Sequence, residues 1–447
     1  MHERNINKKL VTLACLSALL SLSAKADQLF VNANGYTLNA KQKLQHFQAL
    51  AVDEQGRVLS IGDAVALLKK YPHATRTDLA GKTVLTGLID AHGHVLGLGI
   101  EQSQLGLRNT SSLAEAQKAI REYAEQFRQH QWILGRGWNQ AVWKLTRFPT
   151  AAEIDVVLAD RPAWLTRVDG HAGWANTRAM QLAGIDKNTP DPVGGKIERD
   201  AKGEATGIFI DSAMELIAQK LPAQNAAESK VALDAALSQL KQVGLTSVHD
   251  AGVSVEADQL YREYAEHKKL APRVYGMIAG ADGVFDTLSK QGPLASMGDD
   301  QYALRAVKLY ADGALGSRGA AMLQAYTDAP QTKGLLFASD AQMKQQISKA
   351  ALKGYQVNVH AIGDAGNRQV IESIAQLPES ANAALLRHRI EHAQVLANAD
   401  IPRLAQWHII PSMQPSHATS DMNMAEDRIG KERLQGAYAW QKFLKQK

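Results

Sequence analysis

The stretch that most constrains the fold of this chain is residues 86–99. Residues 84–89 are mostly apolar and rich in β-branched side chains, which predicts a buried strand. His92 and His94 stand at its carboxyl end, and side chains two positions apart on a strand point to the same face. Two neutral imidazoles on one face can bind one transition-metal ion such as Zn²⁺. The spacing therefore predicts a metal site, and the alternative is a chance His-x-His pair in a loop.

Residues 1–26 have the pattern of a secretory signal peptide, with a basic start, an apolar core over residues 10–22 and Ala-Lys-Ala at 24–26. The apolar core is too short for a permanent membrane span. We therefore expect cleavage before Asp27 and a protein that is exported to the periplasm or secreted. The alternatives are an uncleaved anchor and, less favoured because the lipobox is poor, a lipoprotein modified at Cys15. Since Cys15 is the only cysteine, the mature chain would have no disulfide and no thiolate chemistry.

The net charge argues against a nucleic-acid partner, and the length indicates two domains. The 447 residues are 45% hydrophobic and 21% charged, and the formal net charge is +5. Loss of the signal removes four basic residues and one acidic residue, which leaves +2. A charge this small does not favour a nucleic-acid surface, for which a concentrated basic face is expected. The length fits one large barrel and a smaller domain.

The pattern of the chain indicates an α/β fold with a small β domain in front. Residues 27–83 consist of short alternating segments separated by turns, which predicts a small antiparallel domain of the β-sandwich type. From about residue 226, apolar strands alternate with amphipathic helices, as in a parallel barrel with helical crossovers. Residues 84–447 thus predict a barrel in which we count seven strands. Residues of about 100–225 are too long for a βα connection and contain most of the tryptophans, so we interpret them as an insertion that covers the site. Ordinary core packing of these tryptophans is the alternative.

Three further candidate ligands lie in the predicted barrel strands. Lys308 is in the fourth strand, and His360 and His392 end the fifth and the sixth. The carboxyl ends of parallel barrel strands face one rim, where active sites form, so these side chains should converge with His92 and His94. Free lysine stays protonated up to a pKa of about 10.4 and cannot bind a cation. Lys308 would become a ligand if CO₂ carboxylated it, and the alternative is a salt-bridged lysine below the rim.

Six motifs together carry a family resemblance, and they lie at residues 87–94, 169–176, 203–207, 307–318, 359–364 and 389–394. From about Gln28 to its end, the chain resembles the amidohydrolase superfamily of metal-dependent barrels, in the branch called amidohydrolase 3 or YtcJ-like. The resemblance implies a TIM-like (β/α)8 metal-dependent hydrolase barrel. It also implies hydrolysis of a C–N bond in an amide-like, non-peptide small molecule through a metal-activated water.

The resemblance also assigns site residues. It implies His92, His94, His360 and His392 as ligands of one or two divalent ions, usually zinc, and Lys308 as a carboxylated bridge. Candidate substrate-binding residues are His171, Asp312 and Arg318, which lie in the motifs, and Trp138 of the insertion. For His171 the alternative is a buried histidine with satisfied hydrogen bonds.

The sequence departs from the superfamily pattern at its end. The superfamily uses an aspartate at the end of the eighth strand as general base, but residues 414–447 show a loop with Asp421 and a helix-like stretch at 433–445. We therefore expect the eighth strand, the catalytic aspartate and the returning strands of the small domain to be missing, which leaves no catalytic residue assigned. Unpaired edges on the first and seventh strands would follow. Three hypotheses stay open: an exported metal-dependent amidohydrolase, an inactive amidohydrolase-like protein, and a secreted protein that binds ligands through the aromatic insertion.

Overall fold

The computed structural model describes residues 27–222 and 225–446, so the predicted signal peptide and Cys15 lie outside the described residues. The chain divides into two compact units, one ending at Gly87 and one beginning at Leu88. Within the described ranges, no helix has both the length and the apolar character that a membrane crossing requires.

The first unit consists of short strands in two small sheets. Its described elements are β1 (Gln28–Val31), β2 (Asn34–Leu38), β3 (Leu44–Phe47), β4 (Ala49–Val52), β5 (Val58–Gly62), α1 (Ala64–Lys70), β6 (Thr75–Asp78) and β7 (Thr83–Leu85). The sheet orders are β5-β4-β1-β6 and β3-β2-β7. The prediction of purely antiparallel sheets is wrong, because β1 pairs with β6 and β2 pairs with β7 in parallel. The parallel β1–β6 pair is possible because α1 crosses over between β5 and β6 and returns the chain in the same direction.

The stretch at residues 84–89 forms two strands instead of the predicted one. β7 ends at Leu85, and β8 (Leu88–Gly93) begins the second unit. Leu88 and Ile89 are 57% and 59% exposed, so the prediction that this strand is buried is also wrong. The reason is that β8 has one strand neighbour among the described residues, which leaves it at an edge of its sheet.

The segment predicted as an insertion has a sheet of its own. It follows α2 (Val95–Gln102) and comprises β9 (Leu105–Gly106), α3 (Leu113–Gln126), β10 (Ile133–Trp138), α4 (Ala151–Asp155), β11 (Ala163–Arg167), β12 (Ala172–Ala175), α5 (Thr177–Ala183), β13 (Gly195–Arg199), β14 (Ala205–Asp211) and α6 (Glu215–Ala218). The strand order is β13-β14-β12-β11-β10-β9. Trp138 and Trp174 are fully buried in the core of this sheet, and their indole N–H groups donate to the carbonyls of Leu165 and Thr150.

The second sheet of this unit is the predicted barrel. Its strands are β8, β15 (Leu245–Val253), β16 (Arg273–Ala279), β18 (Tyr302–Tyr310), β19 (Gln356–Ala361), β20 (Arg389–His392) and β21 (Ile410–Ser412), and β17 (Leu294–Met297) pairs with β18 in antiparallel fashion. In the described chain the seven main strands run in the order β21-β20-β19-β18-β16-β15-β8, and all neighbours are parallel. This nearly closed parallel sheet confirms the predicted TIM-like class and the predicted strand assignments of Lys308, His360 and His392.

Helices follow most of the barrel strands. They are α7 (Ala226–Gln242), α8 (Val255–Glu266), α9 (Gly283–Leu288), α10 (Asp340–Leu352), α11 (Asp364–Ala375), α12 (Ala383–Leu386), α13 (Ile401–Gln406), α14 (Pro415–Asp421), α15 (Ala425–Leu434) and α16 (Trp440–Leu444). The single helix predicted at residues 433–445 is wrong. Residues 436–438 instead bond to the backbone of Gln394 and Leu396, and this pairing separates α15 from α16.

Candidate active site

The five predicted ligands meet at the carboxyl ends of the barrel strands. The ring centroid of His92 lies 5.6 Å from that of His94 and 4.7 Å from that of His392, and the rings of His360 and His392 are 4.6 Å apart. Lys308 Nζ lies 3.4 Å from His92 Nε2. Residues that are up to 300 positions apart in the chain thus face one space, as the parallel barrel requires.

Lys308 is placed unusually for a lysine. Its side chain is 1% exposed, and no carboxylate lies within ion-pair distance of its ammonium group in the described part of the chain. Burial lowers its pKa to about 8. A buried charge without an acid partner costs free energy, so this setting raises the fraction of the neutral amine, the form that reacts with CO₂. The salt-bridged alternative finds no support among the described contacts.

The histidines are in the form that binds metals. Burial lowers the pKa of His92, His360 and His392 far below the usual range and that of His94 to about 4, and the charge of Lys308 adds to each shift. Neutral imidazole is the ligand form of histidine. Among the described residues, no three His, Cys, Asp or Glu side chains form a complete ligand group as placed. The chemistry of the donor set nevertheless fits a divalent ion, since four neutral imidazoles converge beside a buried amine.

Partners behind the histidines fix their orientation. His92 Nδ1 bonds to the buried carboxylate of Glu391, which also accepts two hydrogen bonds from Arg389. His392 Nδ1 lies 2.6 Å from Gln414 Oε1. Such partners select the tautomer and leave the other ring nitrogen available. For His92 the available atom is Nε2, which faces Lys308.

His171 lies next to the ligand cluster. Its ring lies 4.9 Å from that of His360, and its Nδ1 lies 2.8 Å from Asp211 Oδ1. Burial opposes protonation of His171, but the hydrogen bond and the charge of Asp211 outweigh it and raise the pKa of the imidazole. The structure therefore places His171 within the site, with one nitrogen held by a buried acid.

Asp211 is held in this position at a cost. Its backbone adopts φ 50° and ψ −124°. Residues other than glycine rarely adopt this conformation, which costs about 1–3 kcal/mol. A Cβ on Gly313 or on Gly319 would lie 2.4 or 2.3 Å from Asp211 Oδ2, so both glycines make room for the carboxylate. The backbone strain and the close packing hold the carboxylate of Asp211 against the ring of His171.

The other predicted substrate residues are engaged within the protein. Asp312 is fully buried, and three backbone N–H groups donate to its carboxylate. Arg318 donates to Asp328, and Trp138 is fully buried in the insertion. The structure thus brings His171 and Asp312 to the ligand cluster, with Asp312 Oδ1 3.7 Å from His360 Nε2. Arg318 and Trp138 instead bond to Asp328 and to the carbonyl of Leu165.

Several residues of the site escaped the sequence analysis. His417 stacks on His392 with a centroid distance of 5.0 Å, and its Nδ1 bonds to Gln394 Oε1. Asp421, predicted in a loop, ends α14 and accepts from Gln394 and Tyr438. The position of His417 just after the seventh strand was the signal that could have identified it. No comparable signal marks Asp211 or Glu391, whose partners are 40 and 299 positions away.

Comparison with known proteins decides the family. The sequence profile of the Amidohydrolase family matches residues 76–447. The chain belongs to the amidohydrolase family. It is 34% identical over 394 residues to YtcJ of Bacillus subtilis (strain 168), a protein named as an amidohydrolase, and the match covers 88% of this chain and 74% of YtcJ. These two findings confirm the resemblance to the YtcJ-like branch.

A second relative and a solved structure extend the comparison. The chain is 28% identical over 397 residues to N-substituted formamide deformylase of Arthrobacter pascens, with 85% of this chain and 71% of that protein covered. The crystal structure of an uncharacterized metal-dependent hydrolase from Pyrococcus horikoshii OT3 matches with a TM-score of 0.72 at 24% identity, and the match covers 94% of this chain and 80% of that one. The likeness confirms the fold, and family membership supports a hydrolase that acts on a small molecule.

Proposed function

We propose that this amidohydrolase cleaves a C–N bond in a small, non-peptide amide at the strand-end histidine cluster. The observation that carries the proposal is the convergence of His92, His94, His360 and His392 around the buried Lys308. A relative named for N-substituted formamides makes formamides the first substrates to test.

The same cluster would hold the metal. His92, His94, His360 and His392 supply neutral nitrogen donors, and a carboxylated Lys308 would add oxygen donors that can bridge two ions. Zinc is the expected ion, because histidine-rich sites with few carboxylates suit it. When bound, such an ion polarises a carbonyl group and makes a water molecule more acidic.

The remaining residues orient the reactants. Glu391 keeps His92 Nε2 directed at the cluster, and Gln414 does the same for His392. His171, held through Nδ1 by Asp211, presents its other ring nitrogen to a substrate oxygen.

The test is turnover of a panel of N-formyl and N-acyl amides by the zinc-loaded chain. We expect release of amine from at least one formamide, and loss of release in His360→Ala and His392→Ala with the fold retained by circular dichroism. Turnover that survives both substitutions would contradict the proposal. Metal uptake without turnover of any amide would favour the inactive alternative.

We also propose that the chain is exported after cleavage before Asp27. The support is the signal pattern of residues 1–26. Cell fractionation and intact-mass measurement of the purified protein test it, with a mature amino terminus at Asp27 as the expected result. Cytoplasmic protein that retains Met1 would contradict it.

A further inference from the structure

One arginine of the insertion lies beside the turn that carries His171. Arg136 lies in β10, and a Cβ added to Gly170 would stand 3.3 Å from Arg136 Nη2. The guanidinium therefore lies beside the turn that connects Asp169 to His171. Its charge helps to lower the pKa of His94, after the larger effects of burial and of Lys308.

Arg136 differs from the other arginines at the site in its partners. Arg167 donates to Asp169 and to Gln140, and Arg389 donates to Glu391. The guanidinium of Arg136 donates no hydrogen bond to any described residue, and its Nε is buried without a partner. A buried donor left unmatched costs free energy unless a ligand accepts from it.

The acids near Arg136 do not supply that acceptor. Glu101 is the nearest, with Oε2 3.9 Å from Arg136 Nε, which is beyond hydrogen-bond distance, and it accepts from Arg108 at 3.1 Å. Asp169 is paired with Arg167, and Asp211 is paired with His171. The guanidinium of Arg136 thus has no hydrogen-bonded acid partner among the described residues, and its side chain is 32% exposed. Its planar fork is therefore open to a carboxylate, which it can match in two parallel hydrogen bonds.

We propose that Arg136 binds a carboxylate of the substrate, so that the preferred substrates are amides that carry a negative charge apart from the bond that is cleaved. The inference rests on the proposed function, because it names the substrate class of the same site. It makes Arg136 a specificity residue, while the histidine cluster supplies the chemistry.

A matched pair of substrates tests the inference through turnover. N-formyl-L-phenylalanine carries a carboxylate that N-formylphenethylamine lacks, and the measured quantity is the ratio of their kcat/KM values. A charge-assisted pair predicts a ratio of about 10 to 100 for the wild type. Arg136→Gln should bring the ratio close to one. Arg178→Gln, which removes an exposed arginine of α5, is the matched control and should leave the ratio at its wild-type value.

Binding provides a readout that does not depend on turnover. Calorimetry of the zinc-loaded chain compares 3-phenylpropionate with 3-phenylpropan-1-ol, and we expect about tenfold tighter binding of the carboxylate in the wild type and no preference in Arg136→Gln. A carboxylate preference that persists in Arg136→Gln means that the carboxylate binds elsewhere, including at the metal, and overturns the inference. Binding that depends on Arg136 without hydrolysis of either formamide would count against the proposed hydrolysis and leave only the carboxylate-binding role of Arg136 standing.

A second variant covers the case in which Arg136→Gln does not fold. Glu101→Gln removes the acid that stands closest to the guanidinium and lies outside the catalytic cluster. It should raise the carboxylate preference at least about twofold, because repulsion of the incoming charge is lost. A preference that stays the same or falls in Glu101→Gln would overturn the inference.

Discussion

Asp312 gives the sharpest test of how the site is supported. Its fully buried carboxylate accepts from the backbone N–H groups of Ala321, Ile362 and Gly363 at 2.9, 2.9 and 2.8 Å. The acid therefore joins the segment after β18 to the turn that follows His360. The prediction is that Asp312→Ala destabilises the second unit strongly.

The magnitude follows from the three donors left behind. Each buried N–H that loses its acceptor costs about 1–3 kcal/mol, and water that enters the space left by the side chain recovers part of it. We expect a loss of about 3–5 kcal/mol in the free energy of unfolding for Asp312→Ala. Asp312→Asn keeps the volume but turns an NH₂ group toward N–H donors, so about half of that loss is expected.

Urea unfolding followed by tryptophan fluorescence measures the effect. All seven tryptophans lie beyond Leu88, so the signal reports the second unit. Asp200→Ala is the matched control, because Asp200 also accepts from two backbone N–H groups, those of Lys202 and Glu204, but in an exposed turn. The control should lose less than about 1 kcal/mol. A loss in Asp312→Ala no larger than in Asp200→Ala would show that the three buried hydrogen bonds to Asp312 do not stabilise the second unit as expected.

Three further predictions concern the metal, the packing and the orientation of His171. Removal of metal by a chelator should lower the unfolding temperature in scanning calorimetry, because an ion at 100 times its Kd stabilises by about 2.7 kcal/mol, and an unchanged midpoint would contradict the metal assignment. Gly319→Ala places a Cβ 2.3 Å from Asp211 Oδ2 and should cost about 1–3 kcal/mol in urea unfolding, whereas Gly283→Ala, with no atom within 4 Å of the added Cβ, should be near neutral. Asp211→Asn should lower kcat about 10–100-fold with little change in KM, since it removes the charged partner of His171, and an unchanged kcat would count against that role.

The barrel could be predicted from the sequence because the pattern that indicates it, an apolar strand followed by an amphipathic helix, is local and repeated. Apolar runs such as β19 alternate with amphipathic helices, and the histidines stand where these runs end, so the positions of His360 and His392 follow from topology. The lysine could also be assigned to the fourth strand in this way.

The strands of the insertion could not be predicted from the sequence, because packing between residues far apart in the chain determines them. β12 has four residues, and Gly173 is required there because the ring of Trp164 lies where a Cβ would be. Neither the short strand nor the close contact has a periodic signature. The break of the helix at residues 436–438 has the same origin, since distant backbone groups at 394–396 compete for its hydrogen bonds. The partners Asp211 and Glu391 were missed because their function depends on side chains far away in the chain.

The convergence of the strand-end histidines points to one divalent-metal centre. Anomalous diffraction at the zinc edge, from crystals of the chain grown with zinc, tests it most directly. We expect a peak about 2.0–2.1 Å from His92 Nε2 and from ring nitrogens of His94, His360 or His392. A map with no anomalous peak among these rings, in crystals that contain the ordered cluster, would contradict it.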